Sequence, residues 1–343
     1  MKISTSLAYA GDPRAAADSV RELEAVGLDT VWVAEAYGFD SPSLMGYLAA
    51  RTERVEIGSA IINIYSRTPT AIGQTAAGLD NVSGGRTILG LGASGPQVVE
   101  GWHGMPYDKP VARMREVVDI VRRVLRREVI EHRGAVSIPL PAGEGTGLAK
   151  PLKLLNHPER PVVPVYVAAL GTRSVASMAA YADGWLPTMF LPERARQVWG
   201  DALDEGLAKR PADLEPLEIV AGGVVAIGDD VKATLDSVRP QFALYIGGMG
   251  AREKNFYNTV VCELGWEKEA LEIQELYLAG RKEEAAAKVP LELLEATNLV
   301  GPEGHVRERI AAYREAGVTN LVLRPSIDPV GTMATVRRLV DES

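Results

Sequence analysis

The chain reads as a (β/α)8 barrel with two insertions, and three observations predict it. Strand-like and helix-like segments alternate from the first residue to the last, eight such pairs can be placed, and 343 residues hold them without a Pro/Gly/Ser linker that would split the chain in two. An uninterrupted βα order calls for parallel pairing, because parallel strands need a crossover between them. A doubly wound open sheet is the alternative.

The elements follow in order. "KISTSLAYA" reads as the first strand, and "DPRAAADSVRELEAVG" as a helix with Asp12 as N-cap, Pro13 in its first position and Gly27 past its end. "DTVWVAEA", "VEIGSAIIN" and "RTILGLGAS" are the next strands. The helices "DSPSLMGYLAART" and "TPTAIGQTAAGLDNVSGG" separate them, and "KPVARMREVVDIVRRVLRRE" is a long amphipathic helix with arginines toward solvent. The rhythm then breaks over residues 131–161, a Pro- and Gly-rich stretch that reads as an inserted hairpin or lid. "PVYVAAL", "GWLPTM", "LEIVAGGVVAIG" and "VTNLVLRPS" complete the strands. Residues 229–317 hold more helix than one βα unit needs, so a helical insertion is expected at about 252–289.

The formal net charge of −8 argues against general nucleic-acid or anionic-membrane binding. One cysteine, Cys262, excludes an intramolecular disulfide. None of the four histidines is spaced as a metal pair, so no metal site is expected. There is no signal-peptide core and no apolar run of membrane-spanning length, which makes the cytoplasm the expected compartment. No G-x-S-x-G or P-loop occurs. "GLGASG", from Gly90 to Gly95, matches the dinucleotide fingerprint in form, but it lies in the fourth βα unit and Pro96 follows it directly.

In a barrel the chemistry gathers at the C-terminal ends of the strands. "IGSAIINIYSRTP", residues 57–69, begins as a buried strand and ends in an amide, hydroxyls and a guanidinium just before a helix, which is the pattern of a strand end facing a ligand. "ALGTRS", from Ala169 to Ser174, follows the fifth strand and opens the fifth helix. Its first-turn amides and Arg173 form a candidate anion site, with an ordinary capped helix as the plain alternative.

Four segments together, "WVAEAYGFDS", "IGSAIINIYSRTPTAIGQTAAGLDNVSGGRTILGLGASG", "VYVAALGTRSVASMAAYADGW" and "ATNLVGPEGHVRERIAAYREAGVTNLVLRP", resemble the luciferase-like monooxygenase superfamily. The likeness is strongest to its branch using the 8-hydroxy-5-deazaflavin coenzyme F420, that of methylenetetrahydromethanopterin reductase. The resemblance implies a TIM barrel whose third strand carries a non-prolyl cis peptide, here Ala60–Ile61, as a backstop to the deazaflavin ring. It further implies that Asn63 faces the cofactor rim and Arg67 its tail, that Glu35 lies beneath the ring as candidate catalytic group, and that Ala93, Ser94 and Gly95 approach the ribityl chain. Ala168, Ala169, Gly171, Thr172 and Arg173 match the family's phosphate-holding segment. Two departures stand out: Ala36 replaces a family histidine, and Gly95 stands where sugar-phosphate-oxidising relatives have an acidic residue.

The activity so implied is hydride transfer between the deazaflavin C5 and an electrophilic C=C, C=N or C=O of a small organic substrate, with residues 131–161 closing over it and a homodimer as the assembly. The alternatives are an FMN-dependent two-component monooxygenase of the same superfamily, a non-catalytic cofactor-binding barrel, and a barrel enzyme whose anion site holds a substrate phosphate.

Overall fold

The computed structural model describes every residue except Asp230 and Lys232. Among the described residues ten strands form: β1 (Lys2–Ser6), β2 (Thr30–Val33), β3 (Glu56–Ser59), β4 (Ile62–Asn63), β5 (Thr87–Gly92), β6 (Val165–Val167), β7 (Gly184–Trp185), β8 (Glu218–Ile227), β9 (Leu299–Gly301) and β10 (Asn320–Pro325). The pairing runs β10-β1-β2-β3-β5-β6-β7-β8 and closes from β8 back to β10, all parallel. The register is set by pairs such as Lys2↔Asn320, Val31↔Ile57, Leu89↔Val165 and Asn320↔Val220. This is the expected closed barrel rather than an open sheet. β4 resumes β3 after a bulge, and β9, which the sequence reading did not anticipate, extends the outer end of β8.

Period-two alternation divides the apolar residues into two layers. Val31, Val33, Val165, Val167, Leu321 and Leu323 point outward into the main core beneath the helices. Trp32, Tyr166 and Val220 point into the lumen, with Val322 against them. Glycines on neighbouring strands make room for the two rings: a Cβ on Gly58 would lie 2.3 Å from the Trp32 ring, and one on Gly184 2.5 Å from Tyr166. The lumen's lower end is a polar plug, where Lys2 contacts Glu56 at 2.9 Å and Tyr166 donates to Glu218 at 2.6 Å.

The helices begin where their caps dictate. Asp12, Asp40 and Thr68 each accept a first-turn amide, and Pro occupies an early position in all three helices. A short helix, Pro96–Gly101, opens on Gly95, inside a barrel rather than a dinucleotide-binding unit.

The two irregular regions lie at opposite ends. Residues 131–161 follow a helix, Pro110–Leu125, and therefore return toward the N-terminal ends of the strands. Arg160 anchors the end of the segment there, contacting Asp80 at 2.6 Å and the Thr87 carbonyl at 2.5 Å, while its hairpin packs along that helix, where Glu116 accepts the amides of Ala135 and Val136. This corrects the lid reading, because the segment packs on the outer helix and the N-terminal ends of the strands, and none of its residues borders the cavity at the mouth. The insertion after β8 does sit at the C-terminal mouth. It comprises helices between Ala233 and Thr297, including a π-helical turn at Leu244–Gly248. No helix among the described residues is long and apolar enough to cross a membrane.

Candidate cofactor and substrate site

β3 stops at Ser59, and the chain bulges through a cis Ala60–Ile61 peptide before β4 resumes the pairing with β5. Ser59 fills the gap. Its hydroxyl donates to the Gly90 carbonyl at 2.8 Å and accepts the Gly90 amide at 2.9 Å. Gly90 is required there, since a Cβ would fall 1.8 Å from the Ser59 carbonyl oxygen. Ile61 lies over Gly92, where a Cβ would be 2.7 Å from its side chain.

Ala60 and Ile61 border a cavity of about 720 Å3 at the C-terminal end of the lumen. Ala60, Ile61 and Ala168 form a wall of small apolar surface on the β3 and β6 side. Leu186, Met189 and Phe190 follow from the loop after β7, and Phe242, Tyr245 and Tyr257 reach in from the insertion. Backbone with positive φ gathers around this mouth, at Ala36 (46°), Ser94 (55°) and Met189 (56°). A second hollow of about 550 Å3 lies beside Leu203, Arg210 and Leu217. Its one arginine is engaged by the Ala179 and Ala182 carbonyls.

The residues expected to bind a ligand are not all free to do so. Glu35 is 6% exposed and accepts four hydrogen bonds: from Arg67 at 2.7 and 3.1 Å, and from the Ser41 amide and hydroxyl at 3.0 and 3.1 Å. Glu35 and Arg67 therefore occupy each other. Asn63 is buried, and its carboxamide oxygen accepts the Tyr65 amide at 2.9 Å while its NH2 has no partner among the described residues. Tyr65 donates to the Asp108 carbonyl at 2.7 Å, and burial pushes its phenol up to about 12. Ala93, Ser94 and Gly95 form the loop after β5, and the Ser94 carbonyl accepts from Tyr107.

Ala169 and Leu170 carry the site toward the next helix, their carbonyls held by the indoles of Trp185 and Trp199 at 2.9 and 2.8 Å. Gly171 then caps Thr172–Ala179 without a side-chain hydrogen bond. The Ser174 and Val175 amides return to the Gly171 carbonyl. Thr172 and Arg173 are exposed, and the Arg173 guanidinium has no hydrogen bond or ion pair among the described residues. A helix N-terminus with free first-turn amides and an unpaired guanidinium suits an anion.

Sequence reasoning missed the polar wall opposite Ala60 and Ile61. Arg324 projects from β10 into the cavity and donates to Gln241 at 3.0 Å, while the Tyr9 and Tyr245 hydroxyls meet at 3.1 Å. The alternation in "NLVLRP" was the available signal, because Leu321 and Leu323 outward put Arg324 inward. Nothing in the sequence around Tyr245 marked it.

Comparisons with known proteins agree with this geometry. The family model described as luciferase-like monooxygenase matches residues 1–320. A Mycobacterium tuberculosis protein bearing the provisional name coenzyme F420-dependent oxidoreductase is 43% identical over 94% of both chains. The 5,10-methylenetetrahydromethanopterin reductase of Archaeoglobus fulgidus is 25% identical over 90% of this chain and 89% of its own. Among solved structures, the coenzyme F420 dependent tetrahydromethanopterin reductase of Methanopyrus kandleri superimposes with a TM-score of 0.81 at 22% identity, covering 99% of this chain and 98% of that one.

Proposed function

Because the chain belongs to the luciferase-like monooxygenase family, we propose that it is a coenzyme F420-dependent oxidoreductase acting on a small organic substrate. The observation that carries this reading is the wall of Ala60, Ile61 and Ala168 at the barrel mouth, small and flat enough for a tricyclic ring, with the helix N-terminus at Gly171–Arg173 beyond it. The F420-dependent names of the relatives support the choice of coenzyme.

The residues present fit such a cofactor. Ala60, Ile61 and Ala168 would back one ring face, and the Thr172 and Arg173 amides with the Arg173 guanidinium would hold its phosphate. Ser94, at positive φ, would bring backbone close to its ribityl chain. Bound there, the deazaflavin would supply a hydride at C5 to an electrophilic C=C, C=N or C=O. The chain itself positions and excludes water. Leu186, Met189, Phe190 and Phe242 enclose the space above the wall in apolar surface. The Glu35–Arg67 pair fixes the loops after β2 and β4 relative to each other and so shapes the rim.

An anaerobic screen tests the reading: protein, reduced F420 and a panel of enones, cyclic imines and ketones, followed by return of the oxidised chromophore. Enzyme-dependent return with at least one acceptor class is expected. Oxygen uptake with reduced FMN, and no turnover with F420, would instead assign the oxygen-using chemistry of the same family.

A further inference from the structure

We infer that the cavity recognises a substrate carboxylate through Arg324, so that the natural substrate is an apolar monocarboxylic acid. This rests on the proposed ring site only in taking the opposite wall as the place where substrate enters.

Four observations carry it. First, among the described residues Arg324 is the one charged side chain bordering the cavity, and the rest of the lining is apolar or neutral. Second, among the described residues no carboxylate pairs with it; its hydrogen bond goes to the neutral Gln241 carbonyl through Nη1. A guanidinium carries five donors in a planar fork, so most of that fork lacks a protein acceptor. Burial pulls the Arg324 pKa down, opposed by Tyr245, Tyr9 and Tyr313 rather than by any acid. A desolvated cation without a counter-charge is costly unless a ligand supplies one.

Third, the hydroxyls of Tyr9 and Tyr245 lie on the same wall and contact each other at 3.1 Å. In such a pair one hydroxyl donates to the other, and the acceptor keeps its own proton for a ligand oxygen. Fourth, Tyr245 is specially placed. It lies in the π-helical turn Leu244–Gly248, and buried Asn255 donates to the carbonyls of Tyr245 and Ile246 at 3.0 and 2.9 Å. The Tyr257 ring sits against it at 4.8 Å between centroids.

The ligand class follows from charge and shape. One cation balances one negative charge, which suits a carboxylate better than a phosphate dianion. A planar carboxylate also matches the guanidinium edge. Within the remaining lining, Leu186, Met189, Phe190 and Phe242 form an apolar stretch that suits an apolar body, beside the neutral polar side chains of Thr188, Thr297 and Asn298.

The test measures binding of acetate, butyrate, benzoate and cinnamate, each against its primary amide, to wild type, Arg324→Gln and Arg324→Lys, by calorimetry. F420 affinity is measured in parallel for all three proteins. The expected result is at least one acid bound tenfold or more tighter than its amide, with that preference lost in Arg324→Gln and partly kept in Arg324→Lys. F420 affinity should stay within threefold, which also shows that the variants fold. The inference is overturned if no acid is preferred over its amide, if the preference survives Arg324→Gln, or if Arg324→Gln weakens F420 binding tenfold and leaves acid binding unchanged. If wild type binds no F420 yet shows the Arg324-dependent preference for acids, the proposed cofactor fails and the carboxylate site stands.

Discussion

Arg67 grips Glu35 with two guanidinium nitrogens, at 2.7 and 3.1 Å, across the loops that follow β4 and β2. The Glu35 side chain is 8% exposed and that of Arg67 22%, so this is a largely desolvated pair. Its members are unequal. Removing the cation leaves a buried carboxylate with only Ser41 donating to it, whereas Glu35→Gln leaves a neutral amide that can still accept. Arg67→Ala is expected to cost about 3 kcal/mol of stability, and Glu35→Gln less. Urea denaturation checks the order. If Glu35 serves the rim rather than the chemistry, Glu35→Gln will leave turnover of the folded enzyme within a few-fold of wild type.

A clamp of the same kind holds the segment once expected to be a lid. Asp80 is fully buried, and Arg160 reaches it through its backbone amide, Nε and Nη2, at 2.9, 2.9 and 2.6 Å. Arg160→Ala should destabilise by about 3 kcal/mol, because it strands the Asp80 charge. It should leave cofactor affinity unchanged, since the clamp lies at the far end of the barrel. A variant of normal stability with weakened cofactor binding would restore the lid.

The small-residue wall makes a steric prediction. Ala168→Leu adds three carbons where the ring would lie, and Ala168 is only partly buried, so the fold should tolerate it. F420 affinity should fall at least tenfold with little change in melting temperature. Arg173→Ala tests the other end. The side chain is exposed and unpaired, so stability should move by less than about 0.5 kcal/mol. F420 affinity should drop several-fold, and affinity for the phosphate-free deazaflavin that keeps only the ribityl chain should not.

Glu24 supplies a pH prediction. It is 6% exposed and accepts the amides of Glu53, Arg54 and Val55, the last two at 2.6 and 2.7 Å. Burial raises its pKa, but these backbone bonds outweigh it and hold the carboxyl below its usual value. A depressed carboxyl contributes stability above its unfolded pKa and loses it as pH falls through the folded one. Glu24→Gln should therefore cost roughly 1–3 kcal/mol near neutrality. The gap from wild type should narrow as pH drops below about 4.5, which paired thermal melts will show.

The barrel was legible because its signals are local. Caps at Asp12, Asp40 and Thr68 and the alternation in "TVWV" and "NLVL" state where each element begins and which way it faces. The cis peptide at Ala60–Ile61 was anticipated through the family resemblance alone, and the open helix start at Gly171–Arg173 from the local sequence. The lid reading failed because composition reveals an irregular segment but not the end of the barrel it joins; that depends on whether a strand or a helix precedes it. The Tyr9–Tyr245–Arg324 wall was hidden because its members come from the loop after β1, the insertion and β10. Tyr9 and Tyr245 are 236 positions apart, and only the closed barrel brings them together.

The measurement closest to the central claim is a pair of equilibrium titrations of the purified protein with F420 and with FMN, read through intrinsic fluorescence. Trp32 borders the cavity and should report occupancy of either. The account predicts tight F420 binding, with FMN weaker by at least tenfold, and loss of the F420 signal in Ala168→Leu. Preference for FMN, or an F420 signal untouched by Ala168→Leu, would contradict it.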